Sequence, residues 1–188
     1  STGGRQGLME AQRYPQDYDG IAAASPAINW TKFHPQQLWG AMLMNTENNA
    51  LPSCKMTAAT AAAIEACDTI DGVKDGVIED PTRCMFDPKT LIGKAAGTCG
   101  AFTAADASII QRLWEGPRRK DGTFMWYGQA RGADLTALSG TRGDPPKPQA
   151  FSIMLDWFKY FLTENPQLDW TTINRDMYER LYDQSDRK

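Results

Sequence analysis

The chain has a single histidine, His34, in its 188 residues, so proton transfer through an imidazole must use it or a histidine lying elsewhere. It has no apolar run of about eighteen residues, which excludes a bilayer-crossing helix, and its opening STGGRQG lacks the grammar of a signal peptide. An excess of positive charge is missing too. Lys plus Arg number 20 against 23 Asp plus Glu, a net charge of -3, so no whole-molecule field would hold a nucleic-acid backbone or an anionic membrane. Neither C-x-x-C nor the Cys/His spacing of a zinc site occurs. The four cysteines are instead read as disulfides in an oxidising compartment, secreted or periplasmic, with their three possible connectivities open at this point. No repeat of twenty or more residues is evident.

The composition, 41% hydrophobic and 23% charged, suits a globular chain able to bury roughly 70% of its unfolded surface. A helix is expected from about Gly3 to Tyr14, halted by Pro15, and a brief buried strand over Ile21–Ala24. Ile28 to Met44 carries Trp30, Phe33, Leu38, Trp39, Met42 and Leu43 at helical spacing. Thr57 precedes a helix over Ala58–Ala66, ended by Cys67 and Asp68. Thr103 and Asp106 have the spacing of a capping box for a helix that Gly116-Pro117 stops. Arg118 to Gln149 reads as irregular loops, Phe151–Leu162 as an aromatic amphipathic helix, and Asn174 as the cap of a helix through Tyr182, before a polar tail.

Two stretches point to chemistry. Ser1-Thr2-Gly3-Gly4 before a helix has the local form of a hydrolase nucleophile turn, in which small neighbours allow a sharp bend and the next amide, that of Thr2, can donate to an oxyanion. A helix cap is the plainer reading. Cys67 to Asp80 places Asp68, Asp71 and Asp75 close together among glycines. A wrapped loop could offer those carboxylates and the carbonyls of Val73 and Val77 to Ca2+, although the spacing is not that of an EF-hand. Two D-G turns, Asp71-Gly72 and Asp75-Gly76, give the alternative of a solvated hairpin.

The segments STGGRQGLMEAQRYPQDYDGI, ACDTIDGVKDGVIEDPTRC, FTAAD and WEGP resemble the tannase and feruloyl esterase family. The resemblance runs over nearly the whole chain and is looser after Arg118. It implies an α/β fold class: a piece of an α/β-hydrolase core followed by a mostly helical, loop-rich lid domain. On it, residues 1–30 are partial core with the nucleophile, 31–180 the lid with a calcium loop, and 181–188 a tail leading back to the core. The implied activity is hydrolysis of esters of hydroxylated aromatic acids, feruloyl or galloyl. Ser1 aligns with the family's nucleophile, the Thr2 amide with an oxyanion donor, and Asp68, Asp71, Val73, Asp75 and Val77 with its calcium site. Cys67 and Cys84 match a lid disulfide, which leaves Cys54 and Cys99 to pair by remainder.

The family's catalytic Asp and His fall beyond Lys188, so the chain is expected to be a fragment, inactive alone, whose partners are a small aromatic ester and the remainder of its own core. His34 is assigned a structural or surface role, partly buried at most. Trp126, Tyr127 and Arg131 are the candidate substrate contacts, by ring stacking and guanidinium pairing; a packed tryptophan and a solvated arginine are their plain alternatives. From another class, the sequence also admits a calcium-stabilised module that binds aromatic ligands without turning them over.

Overall fold

The computed structural model describes residues 1–187, and its architecture is helical with very little sheet. Helix α1 (Thr2–Arg13) forms as expected and stops short of Pro15, with the Tyr14 amide still donating to the Glu10 carbonyl. Its Gly4 is buried, because a Cβ there would collide with the backbone of Ala24 and Pro26. The expected strand over Ile21–Ala24 does not form. That segment runs against the glycine face of α1, where Ile21 and Ala23 approach Gly7, and it has no ladder partner among the described residues.

The helical run expected over Ile28–Met44 is broken in two, α2 (Trp30–Gln36) and α3 (Trp39–Thr46). Pro35 lies inside α2 and has no amide proton to give to the carbonyl of Thr31. That carbonyl accepts instead from the Ser185 hydroxyl, which itself accepts from Trp157 Nε1 at 2.9 Å. A proline defect in one helix thus becomes a tie among three.

Helix α4 (Ser53–Cys67) begins earlier than Thr57, because Pro52 sets the entry and its carbonyl accepts from the Lys55 and Met56 amides. Helix α5 (Ala104–Glu115) has the reciprocal Thr103–Asp106 capping box. Buried Asp106 also receives Lys55 Nζ at 2.6 Å, so an ion pair inside the protein joins α4 to α5.

The stretch expected as irregular holds a short helix α6 (Thr136–Ser139) and one hairpin, β1 (Thr141–Arg142) antiparallel to β2 (Lys147–Pro148). Helix α7 (Ser152–Asp156) opens into a π-helical turn over Trp157–Leu162, where the Thr163 amide reaches the Phe158 carbonyl at 2.9 Å. Helix α8 (Arg175–Asp186), capped by Asn174, extends beyond Tyr182 into the residues expected as a polar tail. Leu181, Tyr182 and Ser185 are buried, and that burial holds the last turn in place; Lys188, the end of the expected tail, lies outside the described residues.

One core gathers Trp39, Met42, Leu51, Met56, Ile109, Ile110, Leu113, Leu135, Phe158 and Tyr178. A smaller cluster of Cys67, Ile78 and Cys84 sits under the acidic loop. Disulfides Cys67–Cys84 and Cys54–Cys99 close loops of 17 and 45 residues, and no cysteine is free among the described residues. On the chain-entropy account each stabilises the fold by about 3–4 kcal/mol.

Candidate active site

Ser1 is the N-cap of α1, exposed, with its Oγ accepting from the Gly4 amide at 3.5 Å. Its carbonyl accepts from the Arg5 and Ala27 amides, which ties the start of α1 to the segment beneath it. The first amides of a helix, that of Thr2 among them, have no partner within the helix and carry its positive end. The structure therefore accommodates both the cap and the nucleophile-turn readings of this residue.

His34 is more deeply placed than expected. It is 2% exposed, packed against the Trp30 ring at 4.0 Å and stacked on Trp157 at 5.8 Å, and neither ring nitrogen has a hydrogen-bond partner. Burial pushes its pKa down to about 4. Sealed among aromatic rings, with no bond to Ser1, it offers no proton relay. The folded form resists a proton that the unfolded chain accepts near pH 6.5, so stability with respect to this group is complete above that pH. It is lost as pH falls through about 4, with a total near 3 kcal/mol. Denaturant titrations at pH 7, 5.5 and 4.5 should show this loss, and His34→Phe should remove it within that window. Equal acid sensitivity in both proteins would disprove the assignment.

The three candidate substrate contacts share one loop. Tyr127 is exposed and Trp126 partly so, their rings 5.5 Å apart and roughly perpendicular, and Phe124 completes the row at 5.1 Å from Tyr127. Arg131 is partly buried: its guanidinium lies 5.2 Å over the Trp114 ring, and its Nε donates to the Phe86 carbonyl at 3.3 Å. The root of the loop is a crossing of backbones at Gly116 and Gly128, where a Cβ on either would strike the other strand's main chain. Gly116 has φ +77, a conformation open to glycine at no steric cost.

The acidic loop is wrapped from within. Asp68 is buried and its Oδ1 accepts from the amides of Asp75 at 3.1 Å and Gly76 at 2.9 Å. Asp71 and Asp75 accept from Val73 and Val77, two residues on, as Asx turns. The first D-G turn is a 3-10 turn (Asp68–Asp71) ended by Gly72 at φ +94, not a strand hairpin. Ca2+ would need six to eight oxygens, and no group of three or more acidic, histidine or cysteine side chains converges to hold a metal among the described residues. The loop as it stands is not a ready cage.

Sequence reasoning missed the Gly116–Gly128 crossing and the role of Trp114 beneath Arg131, since two glycines twelve apart and an arginine seventeen residues after a tryptophan carry no local signal. It also missed the burial of the histidine. An imidazole with Trp30 and Phe33 near in sequence does hint at an aromatic cage.

Residues 1–159 match the family model described as tannase and feruloyl esterase. A probable feruloyl esterase of Arthroderma benhamiae is 35% identical over 98% of this chain, and a probable feruloyl esterase B-2 of Neosartorya fischeri is 32% identical over 91%. The chain spans about a third of the length of each, 35% and 32% respectively. Among solved structures, feruloyl esterase B from Aspergillus oryzae superposes with a TM-score of 0.77 at 26% identity, covering 98% of this chain and 37% of that one. The fold is also that of the tannin acyl hydrolase from Aspergillus niger, with a TM-score of 0.83 at 21% identity, covering 96% of this chain and 36% of that one. With a family model spanning most of its residues, the chain belongs to the tannase and feruloyl esterase family.

Proposed function

We propose that the protein is a serine carboxylic ester hydrolase acting on feruloyl or galloyl esters, with Ser1 as nucleophile and a catalytic Asp and His contributed from outside these residues. The observation that carries this reading is the position of Ser1 Oγ at the N-terminus of α1, within a family match over residues 1–159. Ser1 Oγ attacks the ester carbonyl while the base takes its proton, and the tetrahedral oxyanion meets the Thr2 amide. Collapse expels the alcohol, and water then releases the acid from Ser1. Residues 31–180 act as a lid over a partial core in residues 1–30. Trp126 and Tyr127 present rings on which a phenolic acid can stack, and Arg131 is the third contact, its guanidinium pairing with a carboxylate or phenolic oxygen. Two disulfides fit export to an oxidising compartment, and no helix among the described residues is long and apolar enough to cross a membrane.

The 188-residue chain on its own should release no acid from methyl ferulate or methyl gallate above background, whereas the complete protein should turn over at least one of them. Turnover by the isolated chain that His34→Ala abolishes would overturn this reading.

Calcium on Asp68, Asp71 and Asp75, with the Val73 and Val77 carbonyls, belongs to the same proposal and rests on the family resemblance. The uncommitted Oδ2 atoms of the three aspartates are what a cation would gather. Calcium should then raise the melting temperature, magnesium less so, since it demands a tight octahedron. Asp71→Asn should weaken the calcium effect. Identical melts in chelator, calcium and magnesium would leave the loop as a metal-free set of Asx turns.

A further inference from the structure

A cleft of about 700 Å3 opens between the C-terminal end of α3, the β1–β2 hairpin and the turn at Trp170–Thr171. That is within the size of small-ligand sites, about 300–1,000 Å3. It shares no lining residue with α1 or with the Trp126–Tyr127 loop. We infer that this cleft is a binding subsite for a neutral sugar, one or more pyranose units of an oligosaccharide. The inference stands independently of the ester-hydrolase reading.

The lining chemistry selects the ligand. Asn48 supplies a side-chain amide able both to donate and to accept, Asn45, Asn49 and Gln149, whose amide nitrogens already donate within the protein, supply carbonyl oxygens, and Trp170 supplies a flat ring. Vicinal hydroxyls on a sugar ring need that paired donor and acceptor, while the C–H face of a pyranose packs on an indole. Lys147 is the sole charged residue of the lining, so neither a cation nor a polyanion finds its counter-charges there. A lipid would meet too many amides, each left unpaired beneath it.

The walls are fixed before any ligand arrives. Asn45 Nδ2 donates to the Thr171 carbonyl at 2.8 Å, pinning the Trp170 turn to α3. The Asn49 amide donates to the Met44 carbonyl at 3.1 Å, and Asn48 between them holds φ +49, a left-handed conformation that asparagine tolerates. On the far wall, the Gln149 amide donates to the Gly140 carbonyl, and Thr141 Oγ1 to the Leu51 carbonyl at 2.8 Å. Pro145, Pro146 and Pro148 stiffen that wall further. Trp170 is partly buried against the core, so its ring is held in place. Binding therefore orders little, which is how a shallow polar site gains affinity.

Titration of the complete protein with xylohexaose and cellohexaose, followed by calorimetry and amide NMR, tests this. Saturable binding with Kd near or below about 1 mM is expected. Trp170→Ala should weaken it at least about tenfold, the loss of a ring stack. Because Trp170 also touches the core, Asn48→Gly is the second variant: it keeps the backbone conformation, removes one amide, and should weaken binding several-fold at unchanged melting temperature. Lys147→Met should leave it unchanged. No saturation by either probe, or affinity indifferent to Asn48→Gly, overturns the proposal. So does a preference for oligogalacturonate that Lys147→Met abolishes, which would make the site an anion site.

Discussion

Ser1→Ala in the complete protein should lower kcat on methyl ferulate or methyl gallate by at least about 10^4-fold, because removing the nucleophile of a triad leaves only what the oxyanion donors and binding supply. KM should change little, since a nucleophile's hydroxyl acts in the transition state more than in ground-state binding. The fold should also tolerate the change. Ser1 is exposed, and its Oγ accepts a single long bond from the Gly4 amide, so the loss of the cap should be no more than about 1 kcal/mol. Those two outcomes together separate the roles this residue could have. A cap that is only a cap would show the small stability loss and full activity, and that pattern would remove Ser1 from the chemistry.

Lys55→Met should destabilise the protein by about 3–5 kcal/mol, the largest single-site effect expected outside the site. Both partners are buried, Lys55 at 8% exposure and Asp106 at 3%. The Asp106 carboxylate is held by Lys55 Nζ at 2.6 Å, by the Thr103 amide at 2.8 Å and by Asn49 Nδ2 at 3.5 Å. Burial alone would raise its pKa, but the hydrogen bonds from Lys55 and Thr103 and the lysine charge together bring it below the usual carboxylate value. Without Lys55 the carboxylate is buried and half-compensated. The acid response follows. With Lys55 present, Asp106 contributes stability that is complete above its unfolded pKa and is lost as pH falls below about 3.8. In Lys55→Met that contribution shrinks or inverts. The double variant Lys55→Met/Asp106→Asn should recover part of the loss, since the coupling belongs to the pair. Urea titration at pH 7 measures all three, and a loss under about 1 kcal/mol in Lys55→Met would show that water reaches the pair.

What the sequence discloses and what it hides divide by range. Helices α1 and α5 were readable because their signals are local: Gly-rich entry and Pro15 for one, the Thr103–Asp106 box and Gly116 for the other. The segment Ile21–Ala24 looked like a strand since four apolar residues in a row fit one, yet a strand also needs a neighbour, and α1 took that place. The last turn of α8 looked like tail because Asp183 to Asp186 is polar, whereas the Ser185 hydroxyl is consumed inside by Thr31 and Trp157, far away in sequence. The acidic loop was visible as a motif but not as a geometry. Asp68 bonds to amides seven and eight residues on, a wrap that composition cannot specify. Arg131 is legible as a candidate contact from its place near the aromatic pair, but its packing on Trp114 and its bond to Phe86, both far away in sequence, are not.

The interlocked glycines at 116 and 128 clamp the root of the aromatic loop. Its far end is held too, since Arg119 pairs with Asp183, the Lys120 amide donates to Glu179 at 2.8 Å and Arg175 donates to the Arg118 carbonyl, all three partners lying on α8. The two regions therefore face different rules of change: at the far end a side chain can be exchanged at the cost of one tie to α8, while at the root even one methyl group must separate two backbones.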